Sequence, residues 1–273
     1  MIYRLPVLCA LLGTSCFAGP ISAWIADSNG NIGEVDVSTG VATLVGNAGV
    51  VLTDIAFSPS GDLYGISFTE LYSIDTSTGA ATAIGPLGIA SDDANALVFS
   101  SSGTLYTATV AGSLYTVDTT TGAASDVGSL SGYGSAGDLA FVGDTLYLGT
   151  STNDLVSVDP STGTATLVGP FGVSNVFGLA TPDGVNLYAA AAQDLYTVDL
   201  STGAATFDVT WAGDAAGLGG ANGEAFATES GYSPYSPYTP FTPFAPNSTP
   251  EPAPLALICA GFGLLGLCRL YKH

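Results

Sequence analysis

The chain has 273 residues and a formal net charge of -20, from 23 Asp and Glu against three basic side chains, Arg4, Arg269 and Lys272. That balance argues against nucleic acid and anionic surfaces as partners, because binding phosphate requires Lys and Arg to displace counterions. The only histidine is His273 and the cysteines are Cys9, Cys16, Cys259 and Cys268, so residues 19–249 cannot build a Ser/His/Asp triad, a Cys/His pair, a His-ligated zinc site, a Lys Schiff base or a disulfide. A hydrophobic content of 47% with 12 Phe and 13 Tyr is nonetheless too high for a disordered chain.

In chain order, the first element is a secretion signal over residues 1–18. Arg4 supplies the positive start, Leu5 to Leu12 the apolar centre, and Cys16-Phe17-Ala18 the small residues before a cut between Ala18 and Gly19. Lipidation at Cys16 is the alternative, but Gly13-Thr14-Ser15 lacks the Leu expected three places upstream.

Residues 19–230 repeat. The order Leu71-Tyr72-Ser73-Ile74-Asp75-Thr76-Ser77-Thr78-Gly79-Ala80-Ala81 returns at Leu114 to Ala124, Leu155 to Ala165 and Leu195 to Ala205, and more loosely at Ile32 to Ala42. Successive copies of the aspartate, Asp36, Asp75, Asp118, Asp159 and Asp199, are 39, 43, 41 and 40 residues apart, the length of a propeller blade. Each unit holds four short β-rich runs, such as Ile55-Ala56-Phe57, Leu63-Tyr64, Leu71 to Ile74 and Ala81 to Ile84, separated by Gly, Asp, Asn and Ser. The expectation is an all-β fold: a five-bladed β-propeller of four-stranded antiparallel blades. The repeats resemble those of secreted bacterial propellers carrying Leu-Tyr-x-Ile-Asp-x-x-Thr-Gly-x-Ala. That resemblance supports a fold and names no activity.

The ends of the repeat region imply ring closure by N- and C-terminal strands. Ser22 to Ala26 aligns with a second strand, Ala216-Gly217-Leu218 with a first and Glu224 to Ala227 with a second. The last blade is therefore split either one strand plus three or two plus two.

Residues 231–249 form a Pro-rich stalk. Ser233-Pro234-Tyr235, Ser236-Pro237-Tyr238, Thr239-Pro240-Phe241 and Thr242-Pro243-Phe244 repeat with the period of polyproline II, which lines the aromatics along one face. Residues 250–273 read Pro250-Glu251-Pro252, an uncharged stretch from Ala253 to Cys268, and a tail bearing Arg269 and Lys272. At 1.5 Å per residue that stretch would make a helix of about 24 Å, short of a ~30 Å hydrocarbon core. This segment resembles the PEP-CTERM sorting signal of Gram-negative bacteria, with two basic residues in place of the usual Arg cluster. The resemblance implies an exosortase as partner, transient membrane anchoring through the C-terminal helix before processing, and a destination at the cell surface or in the extracellular matrix. It also implies an association with exopolysaccharide and biofilm, or with other surface proteins.

Little chemistry remains for the body. The repeated Asp-x-Ser/Thr-Thr-Gly element reads as a turn, with Asp accepting backbone N–H bonds and Gly supplying positive φ. Paired carboxylates offer one enzymatic option, a glycosidase drawing on Asp54, Asp92, Asp93, Asp138 or Asp214, of which Asp54 and Asp138 align just before first strands. Calcium is the one cofactor considered, with candidate ligands Asp27, Asn29 and Asn31 or Asp92 and Asp93. The first set departs from a calcium loop at Ile32 and Ser38. The preferred reading is a non-enzymatic module for adhesion, scaffolding or glycan binding, with no required cofactor. The carboxylate-dependent glycosidase acting on exopolysaccharide is its competitor.

Overall fold

The computed structural model describes residues 21–90, 92–211 and 217–231. The secretion signal with Ala18 and Gly19, the stalk, the sorting segment with Pro250, Glu251, Pro252, Arg269 and Lys272, and Asp214 all lie outside them.

The repeats fold as five four-stranded antiparallel sheets. Blade 1 holds β1 (Ser22–Asp27), β2 (Asn31–Asp36) and β3 (Ala42–Asn47). Blade 2 holds β4 (Asp54–Phe57), β5 (Leu63–Ile66), β6 (Glu70–Ile74) and β7 (Ala81–Pro86). Blade 3 is β8 (Ala94–Phe99), β9 (Leu105–Thr109), β10 (Ser113–Val117) and β11 (Ala124–Ser129). Blade 4 is β12 (Ser135–Val142), β13 (Thr145–Thr150), β14 (Asp154–Val158) and β15 (Ala165–Pro170). Blade 5 is β16 (Val176–Ala180), β17 (Leu187–Ala191), β18 (Asp194–Val198) and β19 (Ala205–Thr210). The last strand, β20 (Ala221–Phe226), pairs with β1 and completes blade 1.

The molecule is thus a five-bladed β-propeller, closed by one C-terminal strand added to three N-terminal ones. Two-plus-two closure is corrected by the register. Phe226 opposes Ala23 in the way that Phe57 opposes Leu63, which makes Glu224 to Phe226 a first strand and not a second. Leu218 instead packs, buried, with Trp211 and Phe226.

Burial explains which run takes which place. The first strands β4, β8, β12, β16 and β20 contact one another around the axis, and β4 and β8 are buried throughout. Continuous apolar runs such as Ile55-Ala56-Phe57 suit strands covered on both faces. The outermost strands β3, β7 and β11 have no buried residue. Aromatic side chains join the blades in sequence: Trp24 meets Phe57 at 5.5 Å, Tyr64 meets Phe99 at 5.3 Å, Tyr106 meets Phe141 at 5.8 Å and Tyr188 meets Phe226 at 5.7 Å. Each such pair contributes about 0.5–1.5 kcal/mol beyond its buried area. The fifth junction has Thr181 where the others have Phe, and there Tyr147 packs against the apolar cluster of Leu179 and Leu187.

The repeated aspartates make the turns that the sequence implies. Asp75 Oδ1 accepts the N–H and the hydroxyl of Ser77, at 2.8 and 2.6 Å, and the same pair of bonds recurs at Asp36, Asp118, Asp159 and Asp199. The Gly that closes each turn touches the previous blade. Gly122 has φ +80°, and a Cβ there would lie 2.3 Å from the Gly85 carbonyl oxygen, backbone against backbone. Gly103 has a similar φ of +87° with no atom near its missing Cβ. Gly122→Ala should therefore cost about 2–4 kcal/mol in chemical denaturation, and Gly103→Ala only about 1 kcal/mol from backbone strain. Equal losses at the two positions would contradict blade contact through the turn.

Candidate ligand-binding site at the channel mouth

The first strands surround a narrow axis, and one end of it opens into a depression of about 400 Å³. Its wall takes an uncharged polar residue from every blade: Asn222 from blade 1, Thr53 preceding β4, Asn95 from blade 3, Ser135 from blade 4 and Asn175 preceding β16. Phe68, Val110 and Phe177 stand around it, 49, 47 and 37% exposed. Among the described residues, no Asp or Glu lines this space. Register shifts interrupt the pairing of β8, β12, β16 and β20 with their neighbours near this end. Such bulges re-aim side chains locally.

Several wall groups are held from behind. Asn95 donates to the Ser135 carbonyl at 3.2 Å, Asn222 to the Leu52 carbonyl at 3.3 Å, and Asn153 accepts the Asn175 N–H at 2.8 Å. Asn95 Oδ1 and Ser135 Oγ, by contrast, are buried with no hydrogen-bond partner among the described residues. Unpaired buried polar atoms are rare in folded proteins and call for an explanation.

Directly below the wall, the axis is filled by acids. Asp54 follows the lining residue Thr53 and Asp138 follows the lining residue Gly137. Asp54 Oδ1 accepts the Ile55 N–H at 2.7 Å and its Oδ2 accepts the Leu97 N–H of the next blade at 2.5 Å. Asp138 repeats the arrangement with Leu139 and Leu179, both at 2.6 Å. The two carboxyls thus lie buried along the inner strands, each taken up by backbone N–H groups of two blades. Burial raises both well above the carboxylate range, and the charge of Asp54 raises Asp138 further.

Glu224 occupies the register position that Ile55, Leu97, Leu139 and Leu179 hold in the other blades. Both its oxygens are buried and unpaired, and burial alone pushes it up to about 8. It fits only because Gly178 has no Cβ, which would lie 2.8 Å from the Glu224 Cβ. At the other end of β20 the following turn bonds to blade 5. Thr228 donates to the Pro182 carbonyl, and Glu229 Oε2 accepts the Phe226 N–H at 3.4 Å. Glu229 is partly exposed as a residue, yet its Oε1 is enclosed and unpaired. Burial, then the charges of Asp138 and Glu224, raises it.

Of the carboxylates singled out in the sequence, the structure brings Asp54 and Asp138 together. Both are buried, and their oxygens are engaged by backbone N–H groups. Asp92 Oδ1 accepts the Asp93 and Ala111 N–H groups, at 2.9 and 3.0 Å, which ties its loop to the next turn of blade 3. Asp27 accepts the N–H groups of Asn29, Asn31 and Gly219, each at 2.8 Å, and the Asn31 amide at 3.0 Å. It braces a turn against the segment that leads into β20. Among the described residues, no three Asp, Glu, His or Cys side chains converge to hold a metal. The mouth residues Asn95, Ser135, Asn175 and Asn222 and the buried acids Glu224 and Glu229 escape sequence reasoning. For Glu224 a signal exists, an acid in a column of leucines, but it is visible only once the closing register is known.

No family model and no curated protein sequence matches the chain. Solved structures do resemble it. One chain of a nidogen/laminin complex is 14% identical with a TM-score of 0.51, over 76% of this chain and 98% of that one. A protein of unknown function from Bacteroides thetaiotaomicron is 15% identical with a TM-score of 0.50, and the match covers 70% of this chain but only 60% of the other. A gluconolactonase from Xanthomonas campestris is 14% identical with a TM-score of 0.48, over 71 and 78%. At these identities the likeness is one of fold.

The buried acids set a distinctive pH dependence. Glu224 keeps its proton in the folded chain up to about pH 8 and loses it near 4.5 when unfolded, so the folded state binds the extra proton and stability falls as pH rises from 4.5 to 8. The turn aspartates, lowered chiefly by bonds to the following Ser or Thr, act oppositely and only as pH falls below about 3.8. Thermal melts should therefore show the highest melting temperature near pH 4.5–5, lower by about 5–10 °C at pH 8, and Glu224→Gln should remove much of that slope. A melting temperature that rises from pH 5 to pH 8 would refute this account.

Proposed function

We propose that the chain is an exported, non-catalytic binding module that holds a neutral, hydroxyl-rich polymer at the mouth of its channel, at the cell surface or in the surrounding matrix. The observation that carries this reading is the contrast at the axis. The carboxyls best placed for chemistry, Asp54 and Asp138, are fully buried and taken up by backbone N–H groups of adjacent blades, while the accessible wall above them is uncharged. Amides and hydroxyls beside exposed aromatic and aliphatic faces suit a carbohydrate, whose rims are polar and whose ring faces are apolar. Calcium has no part in this reading, since the candidate ligands around Asp27 and Asp92 serve as turn braces.

Export and surface display are supported by the terminal segments alone: the signal ending at Ala18 and the resemblance of residues 250–273 to an exosortase substrate. Adhesion and scaffolding are uses of the same binding surface, and exopolysaccharide is the ligand class that the sorting resemblance favours.

Incubating the purified chain with a panel of neutral and acidic polysaccharides tests the binding reading. Retention of a neutral polymer without release of new reducing ends is expected. Release of reducing ends that is abolished by Asp54→Asn or Asp138→Asn would establish the glycosidase instead. Mass spectrometry of the protein from cells with and without an exosortase tests the sorting reading. The expected outcome is loss of the C-terminus near Pro250–Pro252 only where the enzyme is present, and an intact C-terminus in both strains would remove that reading.

A further inference from the structure

We infer that the mouth recognises the end of a neutral glycan chain, one or two pyranose units inserted ring-first, and not an internal stretch laid across it. The inference rests on the binding reading above and specifies its ligand. Three features of the site carry it.

The first is depth. The depression holds about 400 Å³, at the small end of the range of about 300–1,000 Å³ for ligand sites. Asp54 and Asp138, fully buried and next in sequence to the lining residues Thr53 and Gly137, block the way through beneath it. A polymer cannot thread through a blind pit, so only a terminus can fill it.

The second is the unused hydrogen-bonding capacity of the wall. Asn95 and Ser135 are 7 and 2% exposed, and each has a side-chain oxygen with no partner among the described residues. Both residues line the depression. A ligand hydroxyl that reaches these oxygens, with a small turn of the side chains, satisfies groups that the described protein atoms leave unpaired. Asn95 Oδ1 can only accept, so the ligand must present a donor there, which a free hydroxyl does and a methylated one does not.

The third is selection by charge and shape. Phe68, Val110 and Phe177 give the entrance apolar faces for the C–H face of a sugar ring. The net charge of -20 opposes a uronate or a phosphorylated sugar.

The test is calorimetric titration of the full chain with methyl hexopyranosides, with neutral oligosaccharides of increasing length, and with free glucuronic acid. At least one neutral glycoside or short oligosaccharide should bind, glucuronic acid should not, and at equal mass shorter oligosaccharides should compete better because they carry more ends. Asn95→Ala with Ser135→Ala should weaken binding at least tenfold. Phe177→Ser, at an exposed position that the fold tolerates, should weaken it several-fold without lowering the melting temperature. If neutral polysaccharide is retained but no short saccharide binds, or if longer chains compete better at equal mass, recognition of chain ends is overturned while the binding module stands. If Phe177→Ser and the Asn95/Ser135 pair both leave saccharide binding unchanged, the site is elsewhere. If no saccharide or polysaccharide binds, both readings fall.

Discussion

The structure depends on the pairing of β20 with β1. Five sheets arranged about an axis bury their first strands only if the ring is complete, and in this chain the ring is completed by residues almost 200 positions apart, with Trp24 opposite Ala225 and Ile25 opposite Glu224. No disulfide is available to hold that junction, since all four cysteines lie outside residues 19–249. Backbone hydrogen bonds and side-chain packing do the work. Trp211, Leu218 and Phe226 gather in one buried cluster there with the inner strands of blades 5 and 1, and Asp27 binds the Gly219 N–H directly before β20 begins.

Closure also explains the polar interior. Short first strands packed around an axis leave backbone N–H groups that face each other and not a ladder partner, and burying them unpaired would cost more than a hydrogen bond is worth. Asp54 and Asp138 answer two of these demands by reaching into the next blade to Leu97 and Leu179. The arrangement buries two acids, and desolvation raises both well above the carboxylate range. Glu224 adds a third acid where every other blade has a branched aliphatic side chain, and Gly178 and Gly223 leave the space that the acids require. The channel is therefore a structural device below and an uncharged, accessible surface above. That division is why its acids and its candidate ligand site are read differently.

Much of this was legible in the amino-acid order. The 39- to 43-residue spacing of Asp36, Asp75, Asp118, Asp159 and Asp199 implied five blades, and the Thr-Gly turns and Leu-Tyr runs fell where the strands are. Asp54 and Asp138 stood out by their place in the repeat, although their role is a clasp between blades. The closing register was harder. Glu224-Ala225-Phe226 resembles either a first or a second strand in local pattern, and only its partner Ala23-Trp24-Ile25 decides between them. The mouth was invisible because it is composed of unlike residues, Asn222, Thr53, Asn95, Ser135 and Asn175, contributed once per blade at offsets that bulges alter. Repetition reveals architecture, and a site is made where repetition fails.

Ring closure is tested most directly by hydrogen–deuterium exchange of the intact chain, read on peptides covering Ser22–Asp27 and Ala221–Phe226 beside those covering Ala94–Phe99 in blade 3. A closed ring predicts that both terminal strands are protected to the same degree as the inner strand of blade 3 and lose protection together. Free exchange within seconds in β20, with blade 3 still protected, would contradict it.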